Sequence, residues 1–98
     1  MISYRRQARQ ELWDAVAYYE QQRPGLGAEF DDGVAALLQR AVENPGRFQR
    51  VDSLVRKARL KRFHYFIYFT EITPSSIQVV AIVHARRNPE WIQKRLNE

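Results

Sequence analysis

Residues 62–85 read RFHYFIYFTEITPSSIQVVAIVHA, two apolar runs separated by the turn-forming segment TPSS. The first run, 62–72, is rich in Phe and Tyr, and the second, 77–85, is rich in Val and Ile. Aromatic and β-branched residues are typical of β-strands, and a short connection containing Pro and Ser favours an antiparallel pair. Both runs are apolar on each face, so we expect them to be the central strands of a sheet.

Other segments of the chain predict further strands and helices. Residues 54–60 alternate moderately, which predicts a third strand directly before the pair, and Ile2–Tyr4 is short and β-prone, which predicts an edge strand. Residues 88–98 predict a short final helix. Asn88 would be its N-cap, and Arg95 would lie near its carboxyl end, where a cation is favoured.

The segment between residues 7 and 43 predicts two amphipathic helices. The first begins near Gln7 and ends near Arg23, because the Pro-Gly that follows disfavours helical geometry. The second ends at the Asn-Pro-Gly of 44–46. Their apolar residues follow helical spacing: Ala8, Leu12, Ala15, Val16 and Tyr19 in the first, and Phe30, Val34, Leu37, Leu38, Ala41 and Val42 in the second. Two such helices joined by a short turn form an antiparallel hairpin.

The order of these elements is a strand, two helices, three strands and a short helix. Helices grouped before strands indicate an α+β fold, here a single domain over residues 1–98. We expect the two-helix hairpin to pack on one face of a twisted antiparallel sheet. Because the hairpin covers only one face, we expect the other face to be aromatic, rimmed by basic residues and open to a partner.

The composition excludes several classes of site. The chain of 98 residues contains no Cys, which excludes disulfides, thiolate metal ligands and a cysteine nucleophile. Two His residues are too few for a metal site without carboxylates beside them, and no Gly-rich nucleotide motif is present, so we expect neither metal nor cofactor. The N-terminus is too densely charged for a signal peptide, and no apolar run approaches the roughly 20 residues of a membrane helix. We therefore expect a soluble, cytoplasmic protein.

Positive charge is concentrated in the second half of the chain. The net charge is +5, yet residues 46–98 hold eleven Lys and Arg against four Asp and Glu. Residues 47–62 alone hold seven basic residues and one acidic residue. Such a block indicates an anionic partner, either a nucleic acid or an acidic protein segment. A solvated basic face without a partner explains the composition equally well.

His84, Arg86 and Arg87 follow the last apolar run directly. A histidine beside arginines suits acid–base chemistry on a phosphodiester, where arginine stabilises the developing negative charge. The alternative is that His84 caps the strand end through a backbone hydrogen bond, while the arginines pair with Glu90 or an acidic helix. From the residues alone we favour this alternative.

Basic and aromatic residues are also interleaved along the third strand and the first central strand. Arg59 and Tyr68 are interpreted as partner-facing, because basic residues beside aromatic rings can bind phosphate and stack a base. Phe63 and Ile67 are assigned to the core under the helices. Trp91 is expected to pack the terminal helix onto the sheet.

Four segments together are similar to the RelE/ParE toxin superfamily of bacterial type II toxin–antitoxin systems. They are ARQELWDAVAYYEQQRPGLGAEF at 8–30, NPGRFQ at 44–49, KARLKRFHYFIYFTEI at 57–72 and SIQVVAIVHARRNPEWIQKR at 76–95. The resemblance covers nearly the whole chain. It implies two antiparallel helices against a twisted sheet, and a separately encoded antitoxin that wraps the toxin. An acidic, disordered antitoxin segment would suit the basic surface.

The superfamily resemblance implies one of two activities. RelE-like members cut mRNA in the ribosomal A site, whereas ParE-like members poison DNA gyrase. The ending HARRNPEW at 84–91 looks ParE-like, and IQKRLNE at 92–98 lacks the terminal tyrosine of several ribosome-dependent members. Gyrase is therefore the expected target and no enzymatic activity is expected. The alternatives are a RelE-like endoribonuclease acting on the ribosome and its mRNA, and an inactive relative that only binds antitoxin.

The resemblance also implies site residues. In a nuclease, the catalytic set would be Arg59, Tyr68, His84 and Arg86, with His84 transferring the proton and the arginines holding the phosphate. The surface expected to bind the target or the antitoxin consists of Arg56, Arg59, Arg62, Tyr65, Tyr68, His84, Arg86, Arg87 and Trp91.

Overall fold

A mixed β-sheet separates two helical layers in the computed structural model, which describes residues 1–97. The strands are β1 (Ile2–Tyr4), β2 (Gln49–Arg50), β3 (Val55–Leu60), β4 (Tyr65–Thr73) and β5 (Ser76–His84). The α-helices are α1 (Arg6–Gln22), α2 (Leu26–Glu43) and α3 (Pro89–Leu96). A single 3₁₀ turn, Pro45–Arg47, follows α2. The predicted α+β fold and order of elements are confirmed, and the two-residue strand β2 is an addition to them.

The strand order in the sheet is β1-β5-β4-β3-β2. β4 pairs antiparallel with both β3 and β5, so the two apolar runs are next to each other as predicted. β1 pairs parallel with the first half of β5, through Ile2 opposite Ile77 and Tyr4 opposite Val79. The chain therefore begins at the outer edge of β5, and the second half of that edge extends beyond β1.

The helical hairpin covers one face of the sheet. Phe30, Leu37 and Leu38 of α2 are at most 2% exposed, and they belong to one apolar cluster with Ile67 and Phe69 of β4. Full burial of an apolar side chain of this size stabilises the fold by about 1.5–3 kcal/mol. Phe63 belongs to the same cluster, so the assignment of Phe63 and Ile67 to the core is confirmed.

α3 covers part of the opposite face of the sheet, so the expectation that this whole face is open is wrong for the part under α3. Ile92 of α3 is buried in a second apolar cluster with Tyr68 and Val83, and Trp91 packs against the edge of this cluster. Tyr68 is 7% exposed and is therefore a core residue and not a partner-facing one. The predicted role of Trp91 in packing the terminal helix onto the sheet is confirmed.

The connection between β3 and β4 is longer than the sequence pattern suggested, because β4 begins later. Residues 61–64 form a turn, so the strand predicted to begin at residue 62 begins at Tyr65. His64 has a positive φ of 58°, a left-handed conformation that cannot continue a strand. Its carbonyl oxygen accepts a hydrogen bond of 2.7 Å from the backbone nitrogen of Ala85, which ties this turn to the end of β5.

Glu20 fastens the turn between the two long helices. Its carboxylate accepts hydrogen bonds from the backbone nitrogens of Gly25 at 3.0 Å and Gly27 at 3.1 Å, so α1 caps the amino end of α2. Gly27 lies directly against α1. A Cβ atom at Gly27 would lie 2.6 Å from the carbonyl oxygen of Val16.

We expect Gly27→Ala to destabilise the protein by about 1–3 kcal/mol, because the added methyl group would push the two helices apart. Gly46→Ala is the matched control, since the nearest atom to a Cβ there is the Asn44 Oδ1 atom at 3.8 Å. Urea unfolding followed by circular dichroism measures both. A Gly27→Ala protein with the midpoint of the control would contradict the close contact of α1 and α2.

Candidate functional site

A cleft of about 570 Å³ opens between α1 and the carboxyl end of β5. Five of the residues predicted for partner binding line it: Tyr65, His84, Arg86, Arg87 and Trp91. The remaining lining residues come from α1 and β5: Glu11, Asp14, Ala15, Tyr18, Ile82 and Val83. The segment that follows the last apolar run therefore forms a concave surface together with the first helix.

A β-bulge in β5 shapes the wall of this cleft. Tyr68 pairs with Ala81 and Phe69 pairs with Val79, so Val80 has no partner on β4. The carbonyl oxygen of Val80 accepts a hydrogen bond of 3.1 Å from the Arg95 Nη1 atom. Extra residues of this kind leave backbone groups unpaired, and here a side chain of α3 satisfies the carbonyl.

Arg95 and Glu11 form an ion pair across the edge of β5. The Arg95 Nη1 atom lies 3.2 Å from the Glu11 Oε1 atom, and the Arg95 Nη2 atom also contacts the Glu11 Oε2 atom. Glu11 in turn accepts a hydrogen bond of 3.0 Å from the backbone nitrogen of Ile82. The two side chains are only 10% and 19% exposed. The pair therefore joins α1, β5 and α3.

The sequence reasoning missed this pair. Arg95 was expected to act only on the dipole of its helix, although it follows Trp91 and Ile92 at the spacing of one helical face. Glu11 precedes Ala15 by four residues and borders the apolar stripe of α1. A charged residue within or beside the apolar stripe of each helix was the sequence signal that could have predicted this pair.

His84 caps the end of β5, as expected from the residues alone. Its Nδ1 atom accepts a hydrogen bond of 3.1 Å from the backbone nitrogen of Arg86, and its carbonyl oxygen accepts one of 2.9 Å from that of Arg87. The proton of the neutral imidazole is thereby assigned to Nε2. The His84 ring meets the ring of Tyr65 edge-on, with centroids 5.2 Å apart.

The two arginines after His84 have different environments. The guanidinium group of Arg87 lies 4.5 Å from the centre of the Trp91 ring, and that of Arg95 lies 4.7 Å from the same ring. Arg86 is exposed at the mouth of the cleft. Within residues 1–97 neither Arg86 nor Arg87 forms an ion pair, so the expected pairing with Glu90 is not observed.

Tyr65 lies between the cleft and the hairpin core. Its ring centroid is 5.0 Å from that of Phe30. Burial, and after it the neighbouring Tyr19, raise the pKa of Tyr65 to about 12. Because a raised pKa keeps the phenol protonated, Tyr65 offers the cleft a hydroxyl group and not a base at neutral pH.

The other predicted residues lie outside the cleft. Arg56 donates a hydrogen bond of 2.8 Å to the carbonyl oxygen of Phe48, and Arg62 forms an ion pair of 2.7 Å with Glu29. Arg59 lines a separate depression beside the carboxyl end of α2. Tyr68 is buried under α3.

The residues proposed for a nuclease are only partly brought together, because His84 shares a depression of about 140 Å³ with Tyr68 and the cleft with Arg86, while Arg59 lies elsewhere. His84 pairs with Tyr65, which packs on the hairpin side of the sheet. Arg59 pairs with Phe66, which packs on the α3 side together with Tyr68. Tyr68 therefore belongs to the α3 side of the sheet and His84 to the hairpin side, although both reach the depression at the end of β5, and the Arg59 side chain lines the depression beside α2.

The described part of the chain contains neither a candidate metal site nor a candidate membrane span. Among residues 1–97, no three His, Cys, Asp or Glu side chains are grouped so that they could hold a metal ion. No helix in that part is both long enough and apolar enough to cross a membrane.

The sequence of the chain matches the profile of a known protein family. A sequence profile described as the ParE toxin of the type II toxin–antitoxin system, parDE, matches residues 2–89. The chain belongs to the ParE toxin family. A search among curated proteins found no match. Family membership places this ParE toxin in a type II toxin–antitoxin system and implies a cognate antitoxin as its partner.

We expect Arg95→Met to destabilise this ParE toxin by about 3 kcal/mol, because it leaves the Glu11 carboxylate and the Val80 carbonyl without their shared cation. Glu29→Gln is the control, since it removes two exposed ion pairs, with Arg23 and Arg62, and should change stability little. Urea unfolding at neutral pH gives both values. Equal midpoints for the two variants would contradict a structural role for the Glu11–Arg95 pair.

Proposed function

We propose that this ParE toxin inhibits DNA gyrase through the cleft at the end of β5, and that its cognate antitoxin neutralises it. The observation that carries the proposal is the chemistry of the cleft. His84 has its Nδ1 atom engaged by the backbone, and Tyr65 is a protonated phenol. Of the other nuclease candidates, Arg59 lies in a separate depression beside α2, and Tyr68 is buried under α3. The cleft thus offers binding groups without an assembled set of catalytic groups.

The lining of the cleft suits a protein partner. Tyr, Trp and Arg are enriched at the centres of protein interfaces, where they carry much of the binding energy. Tyr18 is 57% exposed on one wall, and Trp91 with Arg87 forms the other. Ile82 and Val83 supply an apolar floor. A side chain from the surface of gyrase would bury the exposed aromatic area and meet Arg86 at the rim.

The charge of the chain supports neutralisation by an acidic segment. Residues 46–98 carry most of the positive charge of the protein. A disordered acidic segment that folds onto a basic surface gains charge-assisted contacts that offset part of its ordering entropy. The antitoxin of this module is therefore expected to contain an acidic segment that binds the second half of the chain.

Synthesis of the chain in a bacterium without its antitoxin should reduce DNA synthesis first. Pulse labelling of DNA, RNA and protein shortly after induction measures the order of events. If protein synthesis falls first, the target is the ribosome and the nuclease alternative replaces the gyrase proposal. If none of the three falls, the chain is an inactive relative that binds antitoxin only.

We expect Arg86→Ala to weaken inhibition of purified gyrase about tenfold, because arginine is among the side chains that carry much of the binding energy of an interface. Arg86 is exposed and its side chain has no ion pair within residues 1–97, so the folded structure should be unaffected. Arg6→Ala is the control, because Arg6 is equally exposed at the start of α1. A DNA supercoiling assay gives both inhibitory concentrations. Equal values would remove the cleft from the gyrase interface.

His84→Ala separates binding from catalysis. If the chain cleaved RNA with His84 as its acid or base, this variant would lose about 100-fold or more in cleavage rate. A gyrase inhibitor would lose only the contact energy of one ring. Cleavage of mRNA on purified ribosomes, compared between the wild type and His84→Ala, measures the difference. Cleavage that is present and lost in the variant would contradict a purely binding function.

A further inference from the structure

The α3 side of the sheet carries an aromatic ring that α3 does not bury. Arg59, Phe66 and Val83 lie opposite one another on β3, β4 and β5. Val83 is buried in the cluster under α3, whereas Phe66 lies at the border of that cluster and is partly exposed. Phe66 is therefore the aromatic residue accessible on this face, in place of the buried Tyr68.

One cation lies over the ring of Phe66, and others lie nearby. The Nζ atom of Lys57 lies 4.5 Å from the ring centre. Lys57, Phe66 and Arg87 line one depression of about 140 Å³. Among the described residues, no Asp or Glu lines this depression. Because strands are spaced about 5 Å apart, Arg59 on β3 lies one strand away from the ring.

Positive charge continues around the edge of β3. Arg59 shares a depression of about 370 Å³ with Arg40 and Arg47, whose floor includes Leu37 and Phe48. One carboxylate, Glu43, also lines this depression, and it accepts a hydrogen bond from Gln39. A second carboxylate, Glu90, lies in the adjacent groove between Lys57 and α3. Cations therefore outnumber carboxylates along this path.

The cations around Phe66 are available to an anionic ligand. Within residues 1–97, Lys57, Arg59 and Arg87 form no ion pair with a carboxylate. Lys57 and Arg87 lie over aromatic rings instead. A cation held over a ring is stabilised weakly when exposed, so its exchange for a phosphate contact costs little.

We infer that the surface formed by Lys57, Arg59, Phe66 and Arg87 binds single-stranded nucleic acid. A base would stack on Phe66 in place of the Lys57 ammonium group, and the flanking phosphates would contact the three cations. Each base presents a π-face, so this mode tolerates any sequence but requires an unpaired strand. An acidic peptide would satisfy the cations and leave the ring without a stacking partner. The inference goes beyond the proposed inhibition of gyrase and does not depend on it.

The test measures binding by fluorescence anisotropy, without gyrase or antitoxin. The probes are labelled single-stranded DNA and RNA of one sequence, about ten nucleotides long to match the site size of such surfaces, and the corresponding DNA duplex. The wild type should bind a single strand more tightly than the duplex. The two single-stranded probes identify which nucleic acid the surface prefers, and a preference for either supports the inference.

Substitutions assign the binding to this surface. Phe66→Leu keeps an apolar side chain at the position and should weaken single-strand binding about fivefold or more through loss of stacking. Lys57→Gln with Arg59→Gln should reduce the slope of log affinity against log salt by about 0.7 for each lost phosphate contact. Arg6→Gln, which removes an exposed charge on the hairpin side, should change affinity less than threefold, roughly the effect of losing long-range attraction alone.

Three results would overturn the inference. The first is duplex binding as tight as single-strand binding. The second is an equal loss of affinity in Arg6→Gln and in the Lys57→Gln, Arg59→Gln variant, which would reflect net charge alone. The third is polyglutamate binding as tight as that of the oligonucleotides and unaffected by Phe66→Leu, which would assign the surface to an acidic protein. The gyrase assay with Arg86→Ala is separate, so either proposal can fail without the other.

Discussion

The ion pair of Glu11 and Arg95 is the interaction on which the arrangement of the layers depends. β1 pairs only with Ile77–Val79, so the outer edge of β5 beyond it needs other partners. Buried backbone groups are almost always paired, because leaving one without a hydrogen bond costs free energy. Glu11 binds the nitrogen of Ile82 and Arg95 binds the carbonyl of Val80, and each charge neutralises the other. A helix from each side of the sheet is thereby fixed at one edge.

The position of α3 that follows from this pair determines both candidate surfaces. On the hairpin side, Trp91 and the Arg87 side chain over its ring close the cleft against α1. On the other side, α3 buries Tyr68 and stops short of Phe66. The eight-residue helix α3 thus leaves two separate surfaces. One is the cleft, which contains charges of both signs, and the other is the basic and aromatic part of the sheet that α3 does not cover.

The central strands and the helical hairpin could be predicted because their side-chain patterns are long and agree with local propensity. The α3 helix itself could be predicted from its Asn88 cap, whose side chain accepts a hydrogen bond of 2.8 Å from the nitrogen of Glu90. Its docking direction could not, because eight residues carry too short a stripe to identify the surface they cover. The burial of Tyr68 was missed for that reason, and Arg95 was read as a surface charge. The turn at His64 was missed because the aromatic residues around it have strand propensity and hide a left-handed residue.

The unpaired Val80 also determines which face of the sheet each later residue of β5 occupies. Ile77 and Val79 contact the hairpin core, but after the bulge the residue that does so is Ile82, while Ala81 and Val83 contact the α3 cluster. Val80 and Ala81 both contact the α3 cluster, so the bulge absorbs one residue and keeps His84 opposite Tyr65 on the side of α1. If the same residues alternated regularly, the even-numbered positions would face α3, and His84 would leave α1 for the opposite surface. Deletion of one residue at the bulge would restore regular alternation and leave His84 in place, whereas a straight strand of the present length would exchange the two surfaces.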